Sequence, residues 1–148
     1  MQKNKKEIVS FIHEELENIN LLLKEISEYK ENSYVYRRAK GSILQDFYNA
    51  CERIFEVIGR EINGGLPFTE QWHKKLLYQM TIGIKGIRPA VISKELAAEL
   101  DEYFSFRHVF RNIYGFELKG ERLDRLVEKF GKIAKSFQKE IKNFINKL

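Results

Sequence analysis

Apolar residues at helical spacing constrain this chain more than any other feature. In the first segment they recur every three or four positions, at Ile8, Ile12, Leu16, Ile19, Leu22 and Ile26. The last segment keeps the same phase to the end of the chain, with Leu123, Leu126, Phe130, Ile133, Phe137, Ile141, Phe144 and Leu148. This spacing is typical of amphipathic helices, and no segment has the alternation of a β-strand. The sequence therefore predicts an all-α protein.

Start and stop signals divide the chain into about five helices. The first helix is expected over about residues 3–30, and the second from a cap at Asn32 or Ser33 to the stop NGGLP at 63–67. The third is expected from a cap at Thr69 to about Met80, and the fourth from a cap at Ser93 to near Gly115. The last is expected from Gly120 to the C-terminus. Glycine pairs and proline end helices, whereas Ser, Thr and Asn begin them. Five helices with short connections predict an antiparallel bundle, and residues 1–148 suit a single domain.

Two small residues of the second helix carry separate predictions. Gly41 costs the helix roughly 1 kcal/mol relative to alanine, so it marks either close packing of a neighbouring helix or a bend. Cys51 lies beside the apolar stripe, where a buried and inert thiol is expected. As the single cysteine of 148 residues, it excludes an internal disulfide framework and a zinc cluster built on cysteines.

The chain has no sign of secretion or membrane insertion. The charged N-terminus is not followed by the apolar core of a signal peptide. No apolar run approaches the roughly 20 residues that a membrane span needs. These features predict a soluble, cytoplasmic protein.

Positive charge is concentrated at the end of the chain. Residues 119–148 hold nine Lys and Arg against four Asp and Glu, which accounts for the whole net charge of +5. Such a helix face either is simply solvated or attracts the phosphate backbone of a nucleic acid. The composition leaves both interpretations open.

Metal and cofactor chemistry have no motif in this sequence. His13, His73 and His108 are far apart, without the spacing of metal ligands, and no glycine-rich loop has the spacing of a phosphate-binding loop. No metal and no cofactor is therefore expected. His73 lies one step from the stripe of Trp72, Leu76 and Met80, which predicts a partly exposed structural histidine.

The stretch SFRHVFRNIYGFEL at 105–118 is the strongest candidate for a functional site. Arg107, Arg111 and Tyr114 continue an apolar stripe at positions i, i+4 and i+7, so the stripe becomes cationic at its end. Burying an unpaired charge is costly. In one interpretation, both arginines pair with carboxylates such as Glu102 or Glu117, or reach solvent. In the other, they form a binding notch for phosphate, because the planar guanidinium matches the geometry of phosphate oxygens.

With its context, this stretch resembles the HEPN superfamily, and in particular the HepT-like toxins. The motif of that family is Arg, four residues, His, one residue and Tyr, and WHKKLLYQM, IRPAVIS and the closing amphipathic helix are also similar. The resemblance implies a homodimeric helical bundle that cleaves RNA, such as tRNA or mRNA, without a metal. It also implies a partner, a minimal nucleotidyltransferase antitoxin in a type VII-like module, which adds AMP to the motif tyrosine.

Carried over residue by residue, the resemblance assigns catalysis to Arg107 and the motif histidine position, and AMPylation to Tyr114. Arg107 and Arg111 are expected to contact RNA phosphate. Asn112, however, occupies the histidine position, and asparagine cannot transfer a proton near neutral pH. Losing a general acid or base typically lowers the rate 10²- to 10⁴-fold.

Three explanations for Asn112 remain open. The chain is a naturally inactive member, an engineered variant, or an enzyme in which His108 has taken over proton transfer. The last requires a displacement of one helical turn, about 5.4 Å. The alternative function is a non-catalytic module that binds a nucleotidyltransferase or a nucleotide.

Overall fold

The structure, a computed structural model, describes residues 4–31, 33–118 and 120–148. Within them it contains five α-helices, α1 (Lys5–Ser27), α2 (Tyr34–Glu61), α3 (Trp72–Gln79), α4 (Lys94–Asn112) and α5 (Gly120–Asn146), and a 3₁₀ turn at Gly115–Glu117. The only β feature of the described residues is an isolated bridge between Ile84 and Arg88. The predicted all-α helical bundle is confirmed.

Helix caps follow the sequence in some places and differ in others. The Ser93 hydroxyl accepts a hydrogen bond from the Leu96 amide at 3.1 Å, which confirms it as the cap of α4. The prediction for Thr69 is wrong, because the residue that precedes α3 is Gln71, with φ of 58°. Ser33 is the N-cap of α2 without a side-chain hydrogen bond, and the alternative cap, Asn32, lies outside the described residues.

Helix α2 is the centre of the bundle and packs against each of the other four helices. Its Phe47 ring meets aromatic rings from α4 and α5, at centroid distances of 5.4 Å to Tyr103 and 5.0 Å to Phe130. The Tyr103 hydroxyl donates to the carbonyl of Leu126 at 2.7 Å, so this buried aromatic layer also satisfies its one polar group. Each fully buried large side chain contributes roughly 1.5–3 kcal/mol to stability.

Gly41 lies where α2 meets the last turns of α4. A Cβ atom at this position would be 2.6 Å from Cε1 of Phe110. The structure therefore decides between the two sequence interpretations in favour of close helix packing. Phe110 is part of the candidate stretch, so this contact fixes how α2 and the candidate stretch lie against each other.

Two buried groups in this scaffold have structural roles. Cys51 is fully buried, as expected, and burial raises the pKa of its thiol well above the ordinary value. Arg88 is 5% exposed and donates to Asn63 and to the carbonyls of Ile82, Pro89 and Gln79, which ties down the loop between α3 and α4. No helix in the described part of the chain is long and apolar enough to cross a membrane.

Candidate functional site

Arg107 is the buried end of the site. It is 4% exposed, and its guanidinium makes two hydrogen bonds to the carboxylate of Glu52 on α2, at 3.1 and 3.2 Å. Glu52 is itself only 6% exposed. The carboxylates that the sequence suggested as possible partners have other contacts: Glu102 pairs with cations of α5, and Glu117 accepts from the Tyr114 amide. A buried pair in this two-pronged geometry costs roughly 3–5 kcal/mol to break by removing one partner.

Asn49 connects the buried arginine to the exposed one. Its side-chain oxygen accepts from Arg107 at 2.9 Å and from Arg111 at 3.2 Å. Asn49 and Glu52 lie one turn apart on α2, just as Arg107 and Arg111 do on α4. The two helices thus hold two guanidinium groups side by side, one buried on a carboxylate and one exposed on an amide.

Two aromatic rings enclose the Arg107 guanidinium. The centre of this group lies 4.9 Å from the Tyr48 ring and 5.5 Å from the Phe104 ring. Both distances are within the range of favourable cation–π contacts. Burial and the neighbouring Glu52 charge raise the pKa of Tyr48 well above its ordinary value. The ring walls exclude water from the ion pair and so strengthen it.

His73 of α3 reaches the same carboxylate from the other side. Its Nδ1 lies 2.9 Å from Oε1 of Glu52, the oxygen that also accepts from Arg107. The His73 ring stacks on Trp72 at a centroid distance of 3.8 Å and faces Phe104 at 6.4 Å. The side chain is 39% exposed, in accord with the partial exposure expected from the sequence. Its connection to Arg107 through Glu52 is not apparent from the sequence.

The other motif residues lie at the exposed end of α4. His108, Arg111 and Asn112 are all exposed, and the Asn112 side chain donates to the carbonyl of His108 at 2.6 Å. The motif position expected to hold histidine is therefore occupied by an amide that is bonded back to its own helix.

Tyr114 lies beyond the helix, which corrects the i, i+4, i+7 placement. Helix α4 ends at Asn112, and Ile113 is extended, with φ of −124° and ψ of 157°. Tyr114 is 69% exposed, and its ring stacks on that of Phe116, with centroids 5.2 Å apart and planes 9° apart. The Tyr114 amide donates to the Glu117 carboxylate at 2.9 Å, which holds the turn in place.

Glu52 and Asn49 are the residues that the sequence interpretation missed. Tyr48, Glu52 and Phe55 occupy positions i, i+4 and i+7 on α2, and all three are buried. A carboxylate in an apolar stripe is the same anomaly as Arg107 in its own stripe. Matching the two anomalies would have predicted the pair, whereas Asn49 has no comparable signal.

The basic C-terminal helix uses part of its charge within the bundle. Lys129 lies 2.6 Å from a Glu99 oxygen and 3.6 Å from a Glu102 oxygen. Lys132 and Lys139, by contrast, are exposed. Nothing in these contacts decides whether the exposed lysines are only solvated.

No group of three or more His, Cys, Asp or Glu suited to holding a metal ion occurs among the described residues. The site consists instead of two guanidinium groups, a carboxylate, an amide and imidazoles.

Comparison with known proteins defines the class to which this fold and site belong. A family model described as HepT-like protein matches residues 39–148, which include most of α2, all of α3 to α5 and every site residue described above. The chain belongs to the HepT-like protein family. No curated protein and no solved structure matches it.

Proposed function

We propose that this protein is a HEPN-type toxin component of a toxin–antitoxin module, with an RNase-type cleft at the exposed end of α4. The observation that carries the proposal is the paired arrangement of Arg107 and Arg111 on Glu52 and Asn49, within a chain of the HepT-like family. The exposed guanidinium of Arg111 suits a phosphodiester, because its charge and planar donors match phosphate oxygens. RNA, such as tRNA or mRNA, is the proposed substrate.

In this proposal the two arginines have different roles. Arg111 is exposed and meets the phosphate first, whereas a phosphate reaches Arg107 only by displacing its bonds to Glu52 or Asn49. Arg107 therefore acts indirectly: it bonds to the same Asn49 oxygen that accepts from Arg111, and so helps to hold Arg111 in position. In this proposal two protomers face each other across the cleft, and no metal takes part.

The direct test is RNA cleavage without added metal by the natural chain and by an Asn112→His variant. We expect the variant to cleave RNA at least 10²-fold faster, because it regains a proton-transfer group at the motif position. Arg111→Gln in the Asn112→His background should abolish most of the gain. If neither the natural chain nor the Asn112→His protein cleaves RNA, tRNA included, the ribonuclease proposal loses its basis.

A second candidate is a non-catalytic partner for a minimal nucleotidyltransferase. Two observations favour it: Asn112 is bonded to its own helix, and Tyr114 projects into solvent, where a transferase could add AMP to its hydroxyl. A groove of about 320 Å³ on another face of this helix end offers further contact surface; it is lined by Phe106, Val109, Ile113, Glu117, Leu118 and Arg122.

Complex formation with the transferase separates the two candidates. A partner role predicts tight binding that survives Arg107→Ala and label transfer from ATP that stops with Tyr114→Phe. Binding that is intact without any cleavage by the Asn112→His protein would favour the partner role over the ribonuclease.

A further inference from the structure

The proposed cleft lacks a proton-transfer group at position 112, yet a histidine from a different helix shares the Glu52 carboxylate with Arg107. We propose that His73, held by Glu52, is the general base of RNA cleavage in this chain. This inference rests on the proposed ribonuclease function. It goes beyond that function because His73 is on α3, outside the Arg-to-Tyr motif, and only the folded chain brings it to Arg107.

The hydrogen bond to Glu52 indicates which nitrogen of the His73 ring is the donor. Both oxygens of Glu52 accept hydrogen bonds from Arg107, as expected of a carboxylate. In the contact of 2.9 Å, Nδ1 of His73 is therefore the donor. A neutral ring that carries its proton on Nδ1 has a free lone pair on Nε2. A carboxylate that orients a histidine in this way is the usual support of a catalytic base.

The His73 side chain is partly exposed, whereas the faces of its ring lie against aromatic rings. Trp72 stacks on one face at 3.8 Å, and Phe104 lies 6.4 Å away. The side chain is nevertheless 39% exposed, and within the described residues no hydrogen bond to Nε2 is present. Stacking and the bond to Glu52 thus hold the ring in one orientation, as a general base requires.

The face of α4 that contacts α3 also carries exposed residues of the motif. Helix α3 lies against α4, with Tyr78 bonded to Asp101 at 2.9 Å and His73 facing Phe104. Asp101, Phe104, His108 and Arg111 follow one another at positions i, i+3, i+7 and i+10, on one face of α4. The face that contacts α3 therefore continues, past the first turn of α3, into the exposed residues of the motif.

The charges around His73 suit a base that cycles between neutral and protonated forms. Glu52 and Glu56 face it from α2, and Arg107 lies across Glu52 on α4. On its own helix, Lys74 is directed to Asp101, at 3.8 Å. Two carboxylates stabilise the imidazolium formed when the ring accepts a proton, and Arg107 keeps Glu52 in place as an acceptor.

In the proposed step, Nε2 of His73 takes the proton of an RNA 2′-hydroxyl. The 2′-oxygen forms a bond to the adjacent phosphorus while the bond between phosphorus and the 5′-oxygen breaks. The leaving 5′-oxygen takes a proton from water, which gives a 2′,3′-cyclic phosphate and a 5′-hydroxyl. Arg111 contacts the phosphate oxygens, on which negative charge grows during this step.

The test compares RNA cleavage by the natural chain with that by three single variants, His73→Gln, His108→Gln and His13→Gln. We expect His73→Gln to lower the rate at least 10²-fold. Glutamine can still donate to Glu52, so the fold should survive, and its thermal melting is the check. His13 is exposed on α1 and serves as the matched control, with an unchanged rate. The His108→Gln variant should lose less than His73→Gln.

Two further measurements separate a base from a structural residue. The natural chain should cleave faster as the pH rises, because a general base accepts a proton only in its neutral form, and His73→Gln should lose this dependence. Added imidazole should restore cleavage to His73→Ala. Restoration by a small base is not expected if the ring only fills space.

Each other result has a distinct meaning. If the natural chain cleaves nothing while Asn112→His cleaves RNA, the role of His73 is refuted and the ribonuclease proposal stands. If neither protein cleaves, both proposals fall. If His108→Gln loses as much as or more than His73→Gln, the base is His108, and the assignment to His73 is refuted.

Discussion

At the scale of single residues, Glu52 is the link on which the rest of the site depends. It neutralises Arg107 on one side and contacts the His73 ring on the other, both through hydrogen bonds of 2.9 to 3.2 Å. Its burial makes these contacts strong, because few water molecules compete for its oxygens. The same burial makes the protein sensitive to substitution of Glu52, since the buried charge of Arg107 is then left without a partner.

Replacing Glu52 by glutamine tests this link. The variant keeps the shape of the side chain but leaves Arg107 buried without a counter-charge. We expect the free energy of unfolding to fall by about 3–5 kcal/mol, measured by urea denaturation. Glu14→Gln, on the exposed surface of α1, should change it by no more than about 0.5 kcal/mol.

A double variant separates loss of charge balance from loss of packing. Glu52→Gln with Arg107→Met removes both charges, so it should recover part of the stability that the single variant loses. A decrease below 1 kcal/mol for Glu52→Gln alone would show that the pair does not anchor the two helices.

The sequence identified half of this arrangement. Arg107 was recognisable because a guanidinium in an apolar stripe needs a partner. The possible partners suggested by the sequence, however, lay only a few positions away, on the same helix or the next turn. Glu52 is 55 residues away in sequence. Helical phase gives the face on which a residue lies, and it does not give the helix that covers that face.

At the scale of elements, the contact between α2 and α4 sets the geometry of the cleft. Asn49 and Glu52 reach their arginines only if the two helices approach closely, and Gly41 permits this approach beside Phe110. The Phe110 ring in turn stacks on the buried Phe106 ring, 5.7 Å away, so it has little room to move.

Gly41→Ala should therefore destabilise the protein although alanine favours helices. The new Cβ would lie 2.6 Å from the Phe110 ring, and overpacking of this kind typically costs about 1–3 kcal/mol. Gly131→Ala in α5 is the matched control: no atom lies within 4 Å of its added Cβ, so it should gain up to about 1 kcal/mol. Thermal unfolding of both variants measures the contrast, and a stabilised Gly41→Ala would contradict the close-packing role.

Element boundaries show where sequence patterns stop being informative. Periodicity predicted all five helices because each has one face in the core, and a core face leaves a regular apolar trace. The ends were less accurate: α3 follows Gln71 in a left-handed conformation rather than a cap at Thr69, and α4 ends before Tyr114. These ends depend on backbone angles and tertiary contacts, which leave little trace in composition.

At the scale of the whole molecule, the question is which positive charges would attract the RNA of the proposed function. The net charge of +5 resides in residues 119–148, whereas the proposed cleft is on α4. Lys129 of α5 is already paired with Glu99 and Glu102. Overall charge and the organised arginine pair thus predict different surfaces for the same ligand, and they respond differently to salt.

Salt dependence distinguishes these surfaces. Arg111 and Lys139 are both exposed and carry one charge each, so Arg111→Gln and Lys139→Gln change the net charge equally. If RNA binds at the α4 cleft, Arg111→Gln should weaken the binding of single-stranded RNA and reduce the slope of log K against log salt concentration by about 0.7, the value for one phosphate contact. Lys139→Gln should leave the slope unchanged. Fluorescence anisotropy at several salt concentrations measures both, and a loss for Lys139→Gln without one for Arg111→Gln would instead place RNA on the basic face of α5.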